Sequence, residues 1–169
     1  MKNIWILTEE RSKANVIKII LERFASDNSF KINCKKELRV VPILKDNCFT
    51  FTYKVEGITC NNFDSVFIKI ASGNSSFVDF LVFFQETEPL EKSTPLYAIE
   101  ETKTDDSESR NTGIYQRCSK FVYVEFYYPS VKKIMLYNLQ IQQKEKPTAT
   151  NVFTGSGIIR KNNVNQYIL

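Results

Sequence analysis

The sequence predicts an α/β fold in which a mixed central β-sheet is flanked by helices, and three observations predict it. Apolar residues recur at helical spacing in two stretches, about Glu9 to Ala25 and about Thr112 to Tyr127. Between them run segments rich in β-formers, LRVVPIL, CFTFTYKV, ITC and SVFIKIA, separated by turn residues. The second helical stretch lies between two apolar runs, LYAIEETK and KKIMLYNLQIQ, the order of a helical crossover joining two neighbouring strands.

The elements follow in order. NIWILT reads as a short first strand, with Thr8 as N-cap of the helix in which Ala14, Ile17, Leu21 and Phe24 share a face. Lys45-Asp46-Asn47, Glu56-Gly57 and Asn61-Asn62 divide the β-rich part into successive antiparallel strands. A turn at residues 72–76 leads into the strand FVDFLVFFQ, and the polar stretch ETEPLEKSTP joins it to LYAIEETK, so Asp79 and Glu101 fall on consecutive strands of a hairpin. TDDSESRN is a loop, Asn111 or Thr112 caps the second helix, and Pro129 stops it. On that helix Ile114, Cys118, Phe121, Val122 and Glu125 form the sheet-facing side, which leaves Gln116, Arg117 and Lys120 nearer solvent. The aromatics Tyr123, Phe126, Tyr127 and Tyr128 read as core. From Gln143 the chain reads as loop, the ending of a chain or the first part of a longer one, and no internal repeat is visible.

A length of 169 residues suits a single domain, with a core at about 64–142 and a loop-like tail at 143–169. No long apolar stretch occurs, and the apolar run in MKNIWILTEERSK is short for a signal peptide, so the reading is a soluble, cytoplasmic protein. Cys34, Cys48, Cys60 and Cys118 are far apart with no C-x-x-C pair, the pattern of buried reduced thiols. The chain has no histidine. That removes the commonest general base, the commonest zinc ligand and every Ser-His-Asp or Cys-His arrangement, which leaves carboxylate, lysine, tyrosine or bound metal.

Net charge is only +4, but it is unevenly distributed. Residues 86–108 hold eight acids against two lysines, whereas Lys132, Lys133, Lys144, Lys146, Arg160 and Lys161 follow Pro129 against the single acid Glu145. An acidic centre beside basic flanks is what a metal site within a phosphate-binding surface needs.

The most informative residues are Glu101 and Lys103, an acid and a lysine two positions apart at the end of an apolar strand. Their side chains share one face, roughly 7 Å apart along the strand. With a second acid on the neighbouring strand, Asp79, two carboxylates can hold a divalent ion while the lysine stabilises charge or orients the attacking water. Glu100 competes with Glu101. Alternation puts Tyr97, Ile99, Glu101 and Lys103 on one face and Glu100 with Ala98 on the other, which favours Glu101. Asp64 competes less with Asp79 because a strand intervenes, and Glu10 or Glu22 of the first helix is a remote further acid.

Asp79, 22 residues later Glu101-Thr102-Lys103, then a helix and a further strand: over residues 77–138 this resembles the PD-(D/E)xK nuclease superfamily, in the order of the core of type II restriction endonucleases. Val78 stands where the name of that superfamily has proline. The resemblance implies a restriction-endonuclease-like core and an Mg²⁺-dependent endonuclease that hydrolyses DNA. It also implies metal ligation by Asp79, Glu101 and a main-chain carbonyl near Thr102, with Lys103 positioning or helping deprotonate the water. Double-stranded DNA as substrate, a homodimer and a cognate DNA methyltransferase as genetic partner are implied in the same way. Rival readings are an RNA-cleaving or structure-specific defence nuclease of the same superfamily and a non-catalytic nucleic-acid-binding module.

Arg110, Asn111, Gln116 and Arg117 are the candidate DNA contacts, because arginine grips guanine and asparagine or glutamine grips adenine. The helix start at Thr112-Gly113 offers free amides to phosphate. Two decoys fall away. Gly113-Ile114-Tyr115 opens like a GIY-YIG nuclease but lies in a helical stretch, and residues 155–157, Gly-Ser-Gly, lack the lysine and the preceding strand of a phosphate loop.

Overall fold

A computed structural model describes residues 1–9, 14–71, 78–102, 113–137 and 157–168. Among them it is a mixed α/β structure of eight strands and two helices, and the chain divides into two units, Met1–Ser76 with Val82–Ser93 and Phe77–Leu81 with Thr94–Leu169.

The first unit holds β1 (Asn3–Thr8), α1 (Ala14–Asp27), β2 (Ile32–Lys45), β3 (Cys48–Cys60), β4 (Val66–Ile70) and most of β5 (Phe80–Gln85). Its strands run in the order β2-β3-β4-β1-β5. β1 pairs parallel to β4, with Trp5 opposite Phe67 and their rings stacked at 4.5 Å, while β3 is antiparallel to both β2 and β4. Ile4, Ile6, Val66 and Ile68 are almost wholly buried, as are Ile17, Leu21 and Phe24 on the predicted face of α1. The helix ends in a left-handed residue. Ser29, at φ 57, lets its own amide donate to Ser26 O and the amide of Phe30 donate to Ala25 O, and Phe30 then meets Phe24 edge-on at 5.8 Å. Thr8 is the buried last residue of β1, and its carbonyl accepts from the Ala71 amide; the residues it would cap lie outside the described residues.

The β-rich segment contains fewer, longer strands than its turn residues suggest. Asp46 and Asn47 do form a two-residue hairpin turn, both at positive φ (51° and 61°), between the pair Lys45 and Cys48. Glu56-Gly57 does not turn. Gly57 takes φ 94° inside β3 and absorbs a register shift against β2, so CFTFTYKV and ITC are one strand.

The second unit holds the start of β5, β6 (Tyr97–Thr102), α2 (Gly113–Tyr127), β7 (Lys132–Tyr137), a helical turn at 157–161 and β8 (Asn165–Ile168), with strand order β5-β6-β7-β8. The crossover is as expected: β6 and β7 are parallel, joined through α2. The tail is not all loop. The turn at 157–161 closes on Asn163 at φ 51, with Val164 N donating to Ile159 O, and β8 adds to β7 in parallel. A four-residue strand of mostly polar composition carries too little periodicity to be read from sequence.

On α2 the expected Cys118 and Phe121 are buried, and Val124 is buried with them, whereas Val122 is 48% exposed; the side chain of Ile114 lies outside the described residues. Tyr123, Phe126 and Tyr127 are exposed rather than core. All four cysteines are free, but only Cys118 is buried. No helix among the described residues is long and apolar enough to cross a membrane.

Candidate active site

The candidate site lies wholly in the second unit, where the chain enters β5 against the end of β6. Asp79 sits in the bend just before β5, outside the strand that the sequence reading gave it. Its carboxylate Oδ2 accepts from the Glu101 amide at 2.8 Å, and its own amide donates to Glu100 Oε2 at 3.1 Å. This reciprocal clasp brings the Asp79 and Glu100 side chains together. Glu101 meets Asp79 through its main chain instead, because alternation along β6 turns its side chain to the other face.

α2 supplies the counter-charges from two positions one turn apart. Lys120 Nζ donates to Glu100 Oε1 at 2.8 Å, and Arg117 Nη1 donates to the same oxygen at 3.0 Å and to the Glu101 carbonyl at 2.7 Å. Arg117 also stands 3.6 Å from Asp79 Oδ2 and Lys120 4.0 Å from Oδ1. Two carboxylates therefore face two cations, one acid fully buried and the others at the rim: Glu100 is 0% exposed, Asp79 31%, Arg117 and Lys120 38% each.

Burial, and next the Asp79 carboxylate, push the Glu100 carboxyl up to about 7, despite Lys120 and Arg117 pulling the other way. The neighbouring Cys118 thiol is pushed up to about 12, by burial first and by Glu100 second. A like-charged carboxylate pair held at this cost is a donor set that a divalent cation suits, and magnesium takes one or two carboxylates with several waters. Among the described residues no group of three or more acids, cysteines or histidines is placed to hold a metal.

Of the other site residues read from sequence, Lys103, Arg110 and Asn111 lie outside the described residues, as do the side chains of Thr102 and Gln116. Thr102 closes β6 opposite Tyr137. Arg117, read as a base contact, has its guanidinium on Glu100, Glu101 and Asp79. Of the rival acids, Asp64 pairs with the N-terminal ammonium at 3.6 Å and Glu22 with Lys18 at 3.7 Å, both in the first unit, and Glu10 lies outside the described residues. Sequence reasoning passed over Glu100 and Lys120. Their signal was a charge beside Ala98 on the helix-facing side of β6, with Arg117 and Lys120 three apart on the helix that crosses back over it. No protein-family model, curated protein or solved structure matches this chain.

Proposed function

We propose that the chain is an Mg²⁺-dependent nuclease that hydrolyses DNA phosphodiester bonds, with a restriction-endonuclease-like core formed by the start of β5, β6, α2 and β7. The observation that carries this reading is the clasp of Asp79 onto the acids of β6, at the mouth of a β-α-β crossover whose helix brings cations to the same point. Asp79 and Glu100 are the metal ligands in this reading. When bound, the ion would supply Lewis-acid stabilisation of the phosphate and a water of lowered pKa. Lys120, and Lys103 beyond the end of β6, are the lysines able to offset charge building on the phosphate and to hold the attacking water. Arg117 orients Glu100 by gripping both its carboxylate and the Glu101 carbonyl. Sequence-specific cutting of duplex DNA as a homodimer, beside a cognate methyltransferase, belongs to the same proposal.

A second reading has its own observation. Glu100 is fully buried and already met by two cations, which is how a structural staple between strand and helix looks in a non-catalytic nucleic-acid-binding module. One assay separates the two. Plasmid, phage DNA and RNA are incubated with Mg²⁺ or EDTA, using wild type, Asp79→Ala, Glu100→Gln, Glu101→Gln, Lys103→Ala and Lys120→Ala, each checked for folding by circular dichroism. Discrete Mg²⁺-dependent DNA fragments, lost at least a hundredfold in Asp79→Ala and Glu100→Gln, are expected. Loss in Glu101→Gln and Lys103→Ala with Glu100→Gln active moves the centre to the opposite face of β6. RNA cleavage alone selects the defence-nuclease alternative, and no cleavage of any substrate by folded protein selects the binding module.

A further inference from the structure

One side chain already joins the two carboxylate oxygens that an ion shared by Asp79 and Glu100 would use. Glu100 Oε2 is committed to the Asp79 amide at 3.1 Å, and Asp79 Oδ2 to the Glu101 amide at 2.8 Å. The other two oxygens, Glu100 Oε1 and Asp79 Oδ1, stand 2.8 Å and 4.0 Å from the same atom, Lys120 Nζ. Arg117 reaches the acids differently: its Nη1 is 3.0 Å from Glu100 Oε1 but lies towards Asp79 Oδ2, at 3.6 Å.

An ammonium and a divalent cation cannot serve those oxygens together. Magnesium needs oxygen at about 2.0–2.1 Å, and two cations crowded on one carboxylate pair repel each other in a partly buried site. Charge balance points the same way. Two acids and two cations are neutral; adding a doubly charged ion leaves two positive charges, and sending one ammonium out to solvent halves that excess.

Of the two resident cations, Lys120 is the one built to leave. Arg117 is pinned by a third contact, its 2.7 Å bond to the Glu101 carbonyl, and presents a rigid planar fork. Lys120 ends a flexible four-carbon stem and is 38% exposed, and its partners among the described residues are the two carboxylates.

We propose that Lys120 is a resident counter-ion that a divalent cation displaces, so that occupancy of the Asp79–Glu100 pair and release of Lys120 are one event. The displacement rests on the reading of this pair as a metal site, and it adds an order of action to that reading. Lys120 holds the acids together first, and once displaced its ammonium is available to a phosphate oxygen beside them. Because only molecules with Lys120 withdrawn are competent to bind, the lysine weakens metal affinity by the fraction of time it is in place.

The test pairs metal affinity with lysine reactivity. Mn²⁺ binding is followed by electron paramagnetic resonance in wild type, Lys120→Met, Lys132→Met and Asp79→Asn, with circular dichroism confirming that each folds. Wild type is also acylated briefly with an amine reagent, with and without Mn²⁺, and modification of Lys120 is read by mass spectrometry against that of exposed Lys54. The expected result is Mn²⁺ binding at least about tenfold tighter in Lys120→Met, and weaker in Asp79→Asn. Lys132→Met, which removes the same charge beside Tyr97 instead, changes affinity by no more than about twofold. In wild type, Mn²⁺ raises acylation of Lys120 several-fold and leaves Lys54 unchanged. Equal affinity of wild type and Lys120→Met while Asp79→Asn stays weak, or equal tightening in both lysine variants, overturns the displacement and leaves the metal reading intact. Acylation of Lys120 that Mn²⁺ fails to raise does the same, and needs no variant to fold. Mn²⁺ binding absent from every protein, or equal in wild type and Asp79→Asn, overturns the displacement and the metal reading together.

Discussion

At the scale of single residues the account turns on Glu100. Its folded-state pKa is raised from 4.5 to about 7, so the protonated form is the one that folding favours. The contribution to stability is therefore complete below the unfolded value and is lost as pH rises through about 7. The thermal midpoint of wild type, measured against that of Glu100→Gln, is expected to fall between pH 5 and pH 8; a constant difference across that range would show no such linkage. Lys120→Ala leaves Glu100 with Arg117 alone. Breaking a buried pair is costly, and because one cation remains the loss is expected to be about 2 kcal/mol by urea denaturation. The thiols offer an independent check on the same neighbourhood. Cys118, buried and pushed up to about 12, is expected to resist alkylation until the chain unfolds, whereas exposed Cys48 reacts in the native state.

The residue scale also shows where sequence reading stopped. Alternation along β6 correctly separates Glu100 from Glu101, but it does not say which face α2 covers. Charged residues on a helix read as solvated, so Arg117 and Lys120 were assigned outward, although a long side chain can run along a helix surface to reach a buried carboxylate. The aromatic residues of α2 misled in the opposite direction: apolar composition suggested core, yet the residues that pack are Cys118, Phe121 and Val124.

At the scale of elements, α1, the Asp46-Asn47 turn and the β6-α2-β7 crossover were legible because each has a strong local signal: an apolar stripe, two residues tolerant of positive φ, and a strand-helix-strand order with a fixed handedness. β3 was not, because glycine marks both turns and bulges. At Gly57 an added Cβ would meet the Glu37 carbonyl at 3.2 Å on a backbone already at φ 94°, so Gly57→Ala is expected to cost about 1–2 kcal/mol in a denaturant melt. β8 was invisible for want of periodicity, and its place depends on the buried pair Ile159 and Val164. Ile159→Ala is expected to cost about 3 kcal/mol and to speed amide exchange in β8 more than in β6.

At the scale of the whole molecule, a chain with no histidine and a modest net charge of +4 sets acids and cations together in its second unit. There Asp79 and Glu100 face Arg117 and Lys120 where β5 begins. The order of strand, helix and strand is legible in local pattern, whereas the bulge in β3 is not, because a bulge depends on its partner strand. The nuclease reading stands or falls on whether the Asp79 edge takes a metal. Mn²⁺ titration followed by electron paramagnetic resonance, on wild type and Asp79→Asn, measures that directly. Saturable loss of the free Mn²⁺ signal in wild type, weakened at least about tenfold in the variant, is the predicted result; equal binding by both proteins, or none by either, would contradict it.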